Sequence, residues 1–243
     1  MKIIGIIPAR YNSSRFPGKA LSDIHGKPMV WWVYQAAKKV TKLDEVYVAT
    51  DDNRIRAVCE QLSIKAMMTS ESHPTGTDRI GEVAQKIKAD LYVNVQGDEP
   101  LLEPFTIEQA IIPFIKGDID FCVTNLMTEI KKMAELINAS VPKVVVNKNG
   151  DAVFFSRLPI PYPKGISSIR YFKQVCVYVF TPEALRKFCS LERGILERSE
   201  DIELLRFIEH DMKVRMIEVK QEPIGVDTPA DLERAREILK GRA

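Results

Sequence analysis

Cysteine and histidine are scarce in this 243-residue chain, and neither is grouped. Its four cysteines, Cys59, Cys122, Cys176 and Cys189, include no Cys-x-x-Cys pair, which predicts reduced thiols and no disulfide scaffold. Three dispersed histidines, His25, His73 and His210, do not make a zinc site. Charge of one sign is missing as well. With 35 basic and 33 acidic side chains the net charge is +2, so the basic footprint of a nucleic-acid binder is absent. Any affinity for anions must be local. No apolar run approaches the roughly 20 residues that span a bilayer. Ile3–Ile7, stopped by Pro8, is too short for a secretory apolar region and has no small-residue cleavage site after it. A cytoplasmic protein with no membrane or nucleic-acid partner is expected. Neither Gly-x-x-x-x-Gly-Lys-Ser/Thr nor Gly-x-Gly-x-x-Gly occurs, which removes a P-loop and a dinucleotide fingerprint.

What is present is a 45% hydrophobic chain without repeats or biased runs, long enough to bury a core without staples. Short apolar runs alternate with helical spacing through the first half. Lys2–Ile7, Glu45–Ala49, Ala66–Met68 and Leu91–Val95 read as strands, and Pro28–Val40, the segment opened by Asp51-Asp52, and Thr77–Ile87 as helices. A continuous apolar first strand is buried on both faces, as in a parallel sheet. The alternation predicts an α/β fold of Rossmann-like type, with a mostly parallel sheet and helices on both faces. After about Gly117 the rhythm changes. Phe121–Leu126, Lys143–Val146, Ala152–Ser156 and Gln174–Phe180 predict an antiparallel insertion over about 118–181, within one domain spanning 1–243, and a dimer surface. Helices are expected at Pro182–Cys189, at Glu197–Ile208 and from Pro229 to Leu239, with a strand at Val214–Val219.

Chemistry concentrates where strands end. After the first strand comes Pro8-Ala9-Arg10-Tyr11-Asn12-Ser13-Ser14-Arg15-Phe16-Pro17-Gly18-Lys19. Ligands of open α/β sheets sit beyond the carboxyl ends of the strands. Arg10, Arg15 and Lys19 bring two guanidinium forks and one point charge to such a loop, a mixture suited to polyphosphate. Gln96-Gly97-Asp98-Glu99-Pro100 follows another buried strand, where Asp98 can hold a divalent cation over a phosphate. In Gly225-Val226-Asp227-Thr228-Pro229, Thr228 and Pro229 open a helix, and Asp227 stands just outside it. Taken alone, Asp227 fits helix capping as well as metal binding. Paired with Asp98 it would complete a two-carboxylate magnesium site. Thr75-Gly76-Thr77-Asp78-Arg79, at a strand-to-helix junction, suits ribose, base or phosphate contacts and equally an ordinary capped helix start.

These segments resemble the 3-deoxy-manno-octulosonate cytidylyltransferases (CMP-Kdo synthetases) over nearly the whole chain. The resemblance is carried by Ile7–Lys19, Ala49-Thr50-Asp51, Thr75–Arg79, Asn94–Pro100, Phe155-Ser156-Arg157 with Ile160-Pro161, and Gly225–Pro229. It implies that CTP and a 3-deoxy-2-ulosonic acid react to a CMP-sugar and pyrophosphate, with Mg2+ required, for lipopolysaccharide or surface glycan. It also implies a homodimer made through the insertion. Catalytic roles fall on Arg10, Lys19, Asp98 and Asp227, the two aspartates being the metal ligands. CTP would meet Pro8, Ala9, Arg10, Arg15, Lys19, Thr75, Gly76, Thr77, Arg79 and Gln96. The sugar acid would meet Gln96, Pro100, Arg157, Gln174, Tyr178, Glu197, Glu200 and Glu203.

One segment departs from the family. Lys173-Gln174-Val175-Cys176-Val177-Tyr178-Val179 has Gln174 where the family carries a pocket histidine, and Cys176 and Val179 where it carries small residues. The resemblance therefore leaves open a modified octulosonic acid or another sugar acid. A second class, a nucleotide-sugar-dependent glycosyltransferase, finds an Asp-x-Asp pattern in Asp118-Ile119-Asp120. That pattern follows a helix and Gly117, and it does not end a central strand. A non-catalytic nucleotide sensor would lack a phosphate cation or a metal carboxylate, and none is missing.

Overall fold

The computed structural model describes residues 1–12, 16–117, 119–165, 169–221 and 225–241. They fall into two compact units, Met1–Glu108 with Pro223–Ala243, and Gln109–Glu222.

In the first unit, β1 (Ile3–Ala9) is buried at almost every position, as its unbroken apolar run requires. A 3-10 turn (Lys19–Leu21) and a small hairpin of β2 (Asp23–Ile24) and β3 (Lys27–Pro28) follow. Its two turn residues, His25 and Gly26, have φ of 52° and 78°, the left-handed pair of a tight hairpin turn. Next come α1 (Met29–Lys38), β4 (Glu45–Thr50), α2 (Asn53–Gln61), β5 (Ala66–Met68), α3 (Gly76–Lys86) and β6 (Leu91–Val95). The strands lie in the order β6-β1-β4-β5. All three pairings are parallel, with Asn94 beside Ile6, Ala49 beside Pro8 and Met68 beside Thr50. The carboxyl ends of β1, β4 and β6 thus open at one edge, as expected of this fold class. The boundary between the units falls inside α4 (Pro104–Lys116).

The second unit contains β7 (Val123–Glu129), α5 (Met133–Ile137), β8 (Lys143–Val146), β9 (Ala152–Ser156) and β10 (Phe172–Phe180). After them come α6 (Pro182–Ser190), α7 (Ile195–Glu200), α8 (Leu205–Ile208) and β11 (Val214–Glu218). β10 runs antiparallel to both β7 and β8, β8 and β9 form a hairpin, and β11 is parallel to β7. The unit takes in the antiparallel strands expected over 118–181 together with α6, α7, α8 and β11.

The single helix expected over Glu197–Ile208 is two short ones. Asp201, at φ 50° and ψ 49°, ends α7 in the left-handed conformation and turns the chain before α8. The start of α7 is capped from a distance. Glu209 accepts the backbone N–H groups of Leu196 at 2.9 Å and Glu197 at 3.1 Å. A Cβ on Gly194 would lie 2.3 Å from a Glu209 carboxylate oxygen. Gly194→Ala is expected to expel this cap and cost about 1–2 kcal/mol, the value of a lost helix cap. Urea denaturation measures it, and an unchanged midpoint would show that the carboxylate moves aside freely.

The chain closes the first unit with α9 (Pro229–Leu239), opened by a reciprocal cap between Thr228 and Asp231. Val226, Leu232, Ala235 and Leu239 pack with Ile24, Met29 and Trp32 in one apolar cluster. That cluster fixes the segment before α9 beside the turn that follows Gly18.

Candidate active site

The first unit gathers its chemistry where β1 and β6 end. A Cβ on Gly97 would lie 2.8 Å from the carbonyl oxygen of Pro8, so only glycine lets the chain leaving β6 pass so close to the end of β1. At the start of α3, a Cβ on Gly76 would touch Gln96 Nε2 and Pro8 Cγ, each at 3.4 Å. Pro8, Gln96 and the α3 N-terminus therefore converge. Thr75 caps that helix, accepting the Asp78 N–H at 3.2 Å and donating its hydroxyl to the Asp78 carboxylate at 2.7 Å. Thr77 is buried behind it.

Between Ala9 and Lys19 the loop is held at both ends. Gly18, at φ 71°, donates its N–H to the Tyr11 carbonyl at 2.8 Å. The Arg54 guanidinium lies 3.3 Å from the centre of the Tyr11 ring. The turn after Gly18 then delivers Lys19. Its Nζ donates to Asp98 at 2.6 Å, to Asp227 at 3.2 Å and to the Val226 carbonyl at 3.1 Å. The backbone repeats the link, Val226 N–H donating to the Asp98 carbonyl at 2.8 Å. Burial alone would lower the Lys19 pKa, but Asp98 and then Asp227 outweigh it and raise it. Two aspartates 129 positions apart in sequence, Asp98 and Asp227, thus share one cation.

The donor set tests whether a metal fits. Two carboxylates and a backbone carbonyl, all hard oxygens, already converge on one positive charge, the ammonium of Lys19. Magnesium takes one or two protein carboxylates and completes its shell with phosphate and water. Two carboxylates and a carbonyl are hard donors of the kind such a shell uses.

The remaining expected nucleotide residues divide. Arg10 is exposed and makes no hydrogen bond or ion pair with the described residues. Arg15 lies outside the described residues. Arg79 is buried, and its guanidinium donates to Asp51 at 2.5 Å, to the Ser70 carbonyl at 3.3 Å and to the Thr69 hydroxyl. It ties α3 to the ends of β4 and β5. Asp51 and Thr69 are therefore part of the site's frame, and only the segment Ala49-Thr50-Asp51 hinted at that in the sequence.

Of the residues expected at a sugar acid, Gln96 is half-buried and Pro100 buried, both in the first unit. The second unit holds the others. Gln174 and Tyr178 are buried on β10, and the Tyr178 ring leans on Phe180, which stacks on Phe207 of α8. Each guanidinium nitrogen of Arg157 makes a hydrogen bond: Nε with the Glu200 carbonyl at 2.5 Å, and the two terminal nitrogens with the carbonyls of Ala139 at 2.9 Å and Asp201 at 3.1 Å. Glu200 accepts the Ser156 hydroxyl and the Arg157 N–H, each at 2.8 Å. The buried Lys143 completes this knot, donating to the carbonyls of Asn138, Val141 and Arg157. Desolvation, and then the neighbouring Arg157 charge, depress its pKa. Glu197 is fully buried against Arg206, and Glu203 lies half-buried between α7 and α8. The three glutamates therefore do not form one helical stripe, because the turn at Asp201 separates them. Of the Asp118-Ile119-Asp120 pattern, Asp118 is outside the described residues and Asp120 pairs with Lys213 and Arg215.

Fold and residue set together belong to the nucleotidyltransferases. A solved structure of CMP:2-keto-3-deoxy-manno-octonic acid synthetase complexed with CTP superimposes with a TM-score of 0.93 over 100% of both chains, at 41% identity. The cytidylyltransferase family model matches residues 4–214. A 3-deoxy-manno-octulosonate cytidylyltransferase from Trichlorobacter lovleyi is 43% identical, with 99% of each chain covered. One from Escherichia coli is 42% identical, with 98% of this chain and 96% of that protein covered. The chain belongs to the cytidylyltransferase family, within its 3-deoxy-manno-octulosonate branch.

Proposed function

We propose that the protein transfers the cytidylyl group of CTP to a 3-deoxy-2-ulosonic acid, releasing pyrophosphate. The acid of choice is 3-deoxy-manno-octulosonate or a close relative, made ready for lipopolysaccharide or surface glycan. The observation that carries this reading is the meeting of Lys19, Asp98 and Asp227 beyond the strand ends, in a chain related to such enzymes over its full length. In this reading the anomeric hydroxyl of the acid attacks the α-phosphorus in line, and pyrophosphate leaves from the opposite side. Such transfers depend on positioning and charge neutralisation more than on covalent help from the protein.

Asp98 and Asp227 would hold Mg2+. Bound there, the ion supplies charge neutralisation at the triphosphate and a more acidic attacking hydroxyl. Lys19, Arg10 and Arg15 bind and orient the phosphates. Pro8, Ala9, Gln96 and the helix start Thr75-Gly76-Thr77 shape the nucleotide's seat, and buried Arg79 keeps that helix start in place. The resemblance assigns Gln96 and Pro100 of the first unit, and separately Gln174 and Tyr178 of the second, to the sugar acid. Arg157, Glu197, Glu200 and Glu203, also expected at the acid, act within the second unit through the contacts described above.

Among the described residues no helix is long and apolar enough to cross a membrane, which is compatible with work in the cytoplasm. We infer a homodimer formed through the second unit. Met133, Ile137, Leu158 and Tyr162, each at least 67% exposed, give it apolar surface to cover.

Mixing CTP, Mg2+ and 3-deoxy-manno-octulosonate with the protein is expected to release pyrophosphate in step with CMP-sugar. A panel of ulosonic acids, including forms substituted at C8, ranks the acceptors. A glycosyltransferase would release no pyrophosphate from CTP, and a sensor would bind CTP without turnover. Either result contradicts the proposal.

A further inference from the structure

β7 and β10 contain a polar lock that none of the sequence motifs announces. β10 leaves register with β7 between Val175 and Tyr178, so that Val175 lies opposite Leu126 and Tyr178 opposite Asn125. Two residues, Cys176 and Val177, are thereby extra on β10. Asn125, fully buried, fills the gap: its Nδ2 donates to the carbonyls of Val175 at 2.7 Å and Val177 at 2.9 Å. Both acceptors are backbone carbonyls, which can only accept. The identity of the two Asn125 amide atoms is therefore settled by chemistry, nitrogen towards β10 and oxygen away.

That assignment propagates. Asn125 Oδ1 faces Gln174 at 3.1 Å, and an oxygen there requires a donor, so the atom of Gln174 that meets it is the NH2 group. Gln174 cannot flip without setting two oxygens against each other. Its Oε1 is left over, and no described residue donates to it. Asn125, Gln174 and Tyr178 share one face of the β7–β10 pair, so this acceptor belongs to the same face as Tyr178.

We infer that Asn125 makes Gln174 a hydrogen-bond acceptor of fixed polarity, and that the sugar acid must present a donor to it, a hydroxyl or an ammonium group. This deepens the functional reading above and rests on it. Gln174 is then a specificity-determining residue, and Asn125 a positioning residue acting through it. A site built to hydrogen-bond a substrate hydroxyl discriminates strongly against an analogue that lacks it.

Pyrophosphate release is followed while 3-deoxy-manno-octulosonate is varied at saturating CTP, and then CTP at saturating acid. Gln174→Met keeps length and burial without a strong acceptor. It is expected to lower kcat/KM for the acid about tenfold or more with the KM for CTP near wild type, and to lower the melting temperature by a few degrees because Asn125 Oδ1 loses its donor. Gln174→His, which can donate to Asn125 through one ring nitrogen and accept through the other, is expected to recover activity to within about threefold. Asn125→Leu frees the Gln174 amide to turn and is expected to raise the KM for the acid with little change in that for CTP. An acid KM in Gln174→Met equal to the wild-type value overturns the inference while leaving the functional reading intact. Absence of pyrophosphate release by the wild-type protein with every ulosonic acid overturns the functional reading, and this inference with it.

Discussion

Asp98→Asn is expected to lower CMP-sugar formation about a thousandfold or more, the rate equivalent of several kcal/mol of lost charge stabilisation. The substitution keeps the size of the side chain and removes its charge. Asp98 makes the shorter of the two carboxylate contacts to Lys19, at 2.6 Å against 3.2 Å for Asp227, so the variant loses the stronger half of the cation-binding pair. The fold should survive. Val226 N–H still donates to the Asp98 backbone carbonyl, which an Asn keeps, and Lys19 retains Asp227. Both side chains keep some exposure, and losing the pair should cost less than the about 3–5 kcal/mol of a fully buried one. Turnover and thermal denaturation measured on one preparation separate the two effects. Near-wild-type turnover would contradict the assignment of Asp98, and a collapsed melting temperature would mean that the aspartate is structural.

Glu197→Ala is expected to act in the opposite way, on stability first. Glu197 is fully buried, and its carboxylate meets Arg206 Nε at 2.7 Å and a terminal nitrogen at 2.8 Å, with Arg193 Nε at 3.0 Å. Arg206 is 2% exposed; it also donates to the Phe188 carbonyl at 3.1 Å and lies over the Phe188 ring at 3.7 Å. Removing the carboxylate takes two charge-assisted hydrogen bonds from a buried guanidinium. Breaking a buried pair in this way costs about 3–5 kcal/mol. For a chain of this length that is roughly 10 °C in melting temperature. Replacing both partners, as in Glu197→Leu with Arg206→Met, should cost less than Glu197→Ala alone, because no buried charge is then stranded. A loss below about 1 kcal/mol in Glu197→Ala would show that water or a neighbouring group reaches the arginine.

The parts of this molecule that can be read from sequence are those governed by period and by strand ends. Ile3–Ile7 with no polar interruption predicts a strand buried on both faces, and β1 is that strand. Thr228-Pro229 predicts a helix start, and α9 begins there with its reciprocal cap. The basic loop and the two aspartates could be named one by one, because each follows a strand or precedes a helix. Their meeting through Lys19 could not, since it depends on Val226 packing among Ile24, Met29 and Trp32.

Other features have no local signal. Glu197, Glu200 and Glu203 at intervals of three look like one helical stripe, but Asp201 adopts a left-handed conformation that a non-glycine residue seldom announces. Arg79 and Arg157 read as ligand-binding guanidinium groups, because the groups that hold them lie far away in sequence. Their partners come from elsewhere in the chain: Asp51 lies 28 positions from Arg79, and Glu200, whose backbone carbonyl accepts Arg157 Nε, lies 43 from Arg157. Asn125 is the extreme case, a fully buried polar residue whose purpose exists only once β10 bulges against it.

The central claim is that Asp98 and Asp227, held together through Lys19, grip one divalent cation on the triphosphate of CTP. Titration with Mn2+ in the presence of CTP, read by electron paramagnetic resonance, tests it without relying on turnover. The wild-type protein should immobilise Mn2+ together with the nucleotide, and Asp98→Asn and Asp227→Asn should each lose most of that binding. Equal Mn2+ binding by all three proteins would contradict the account.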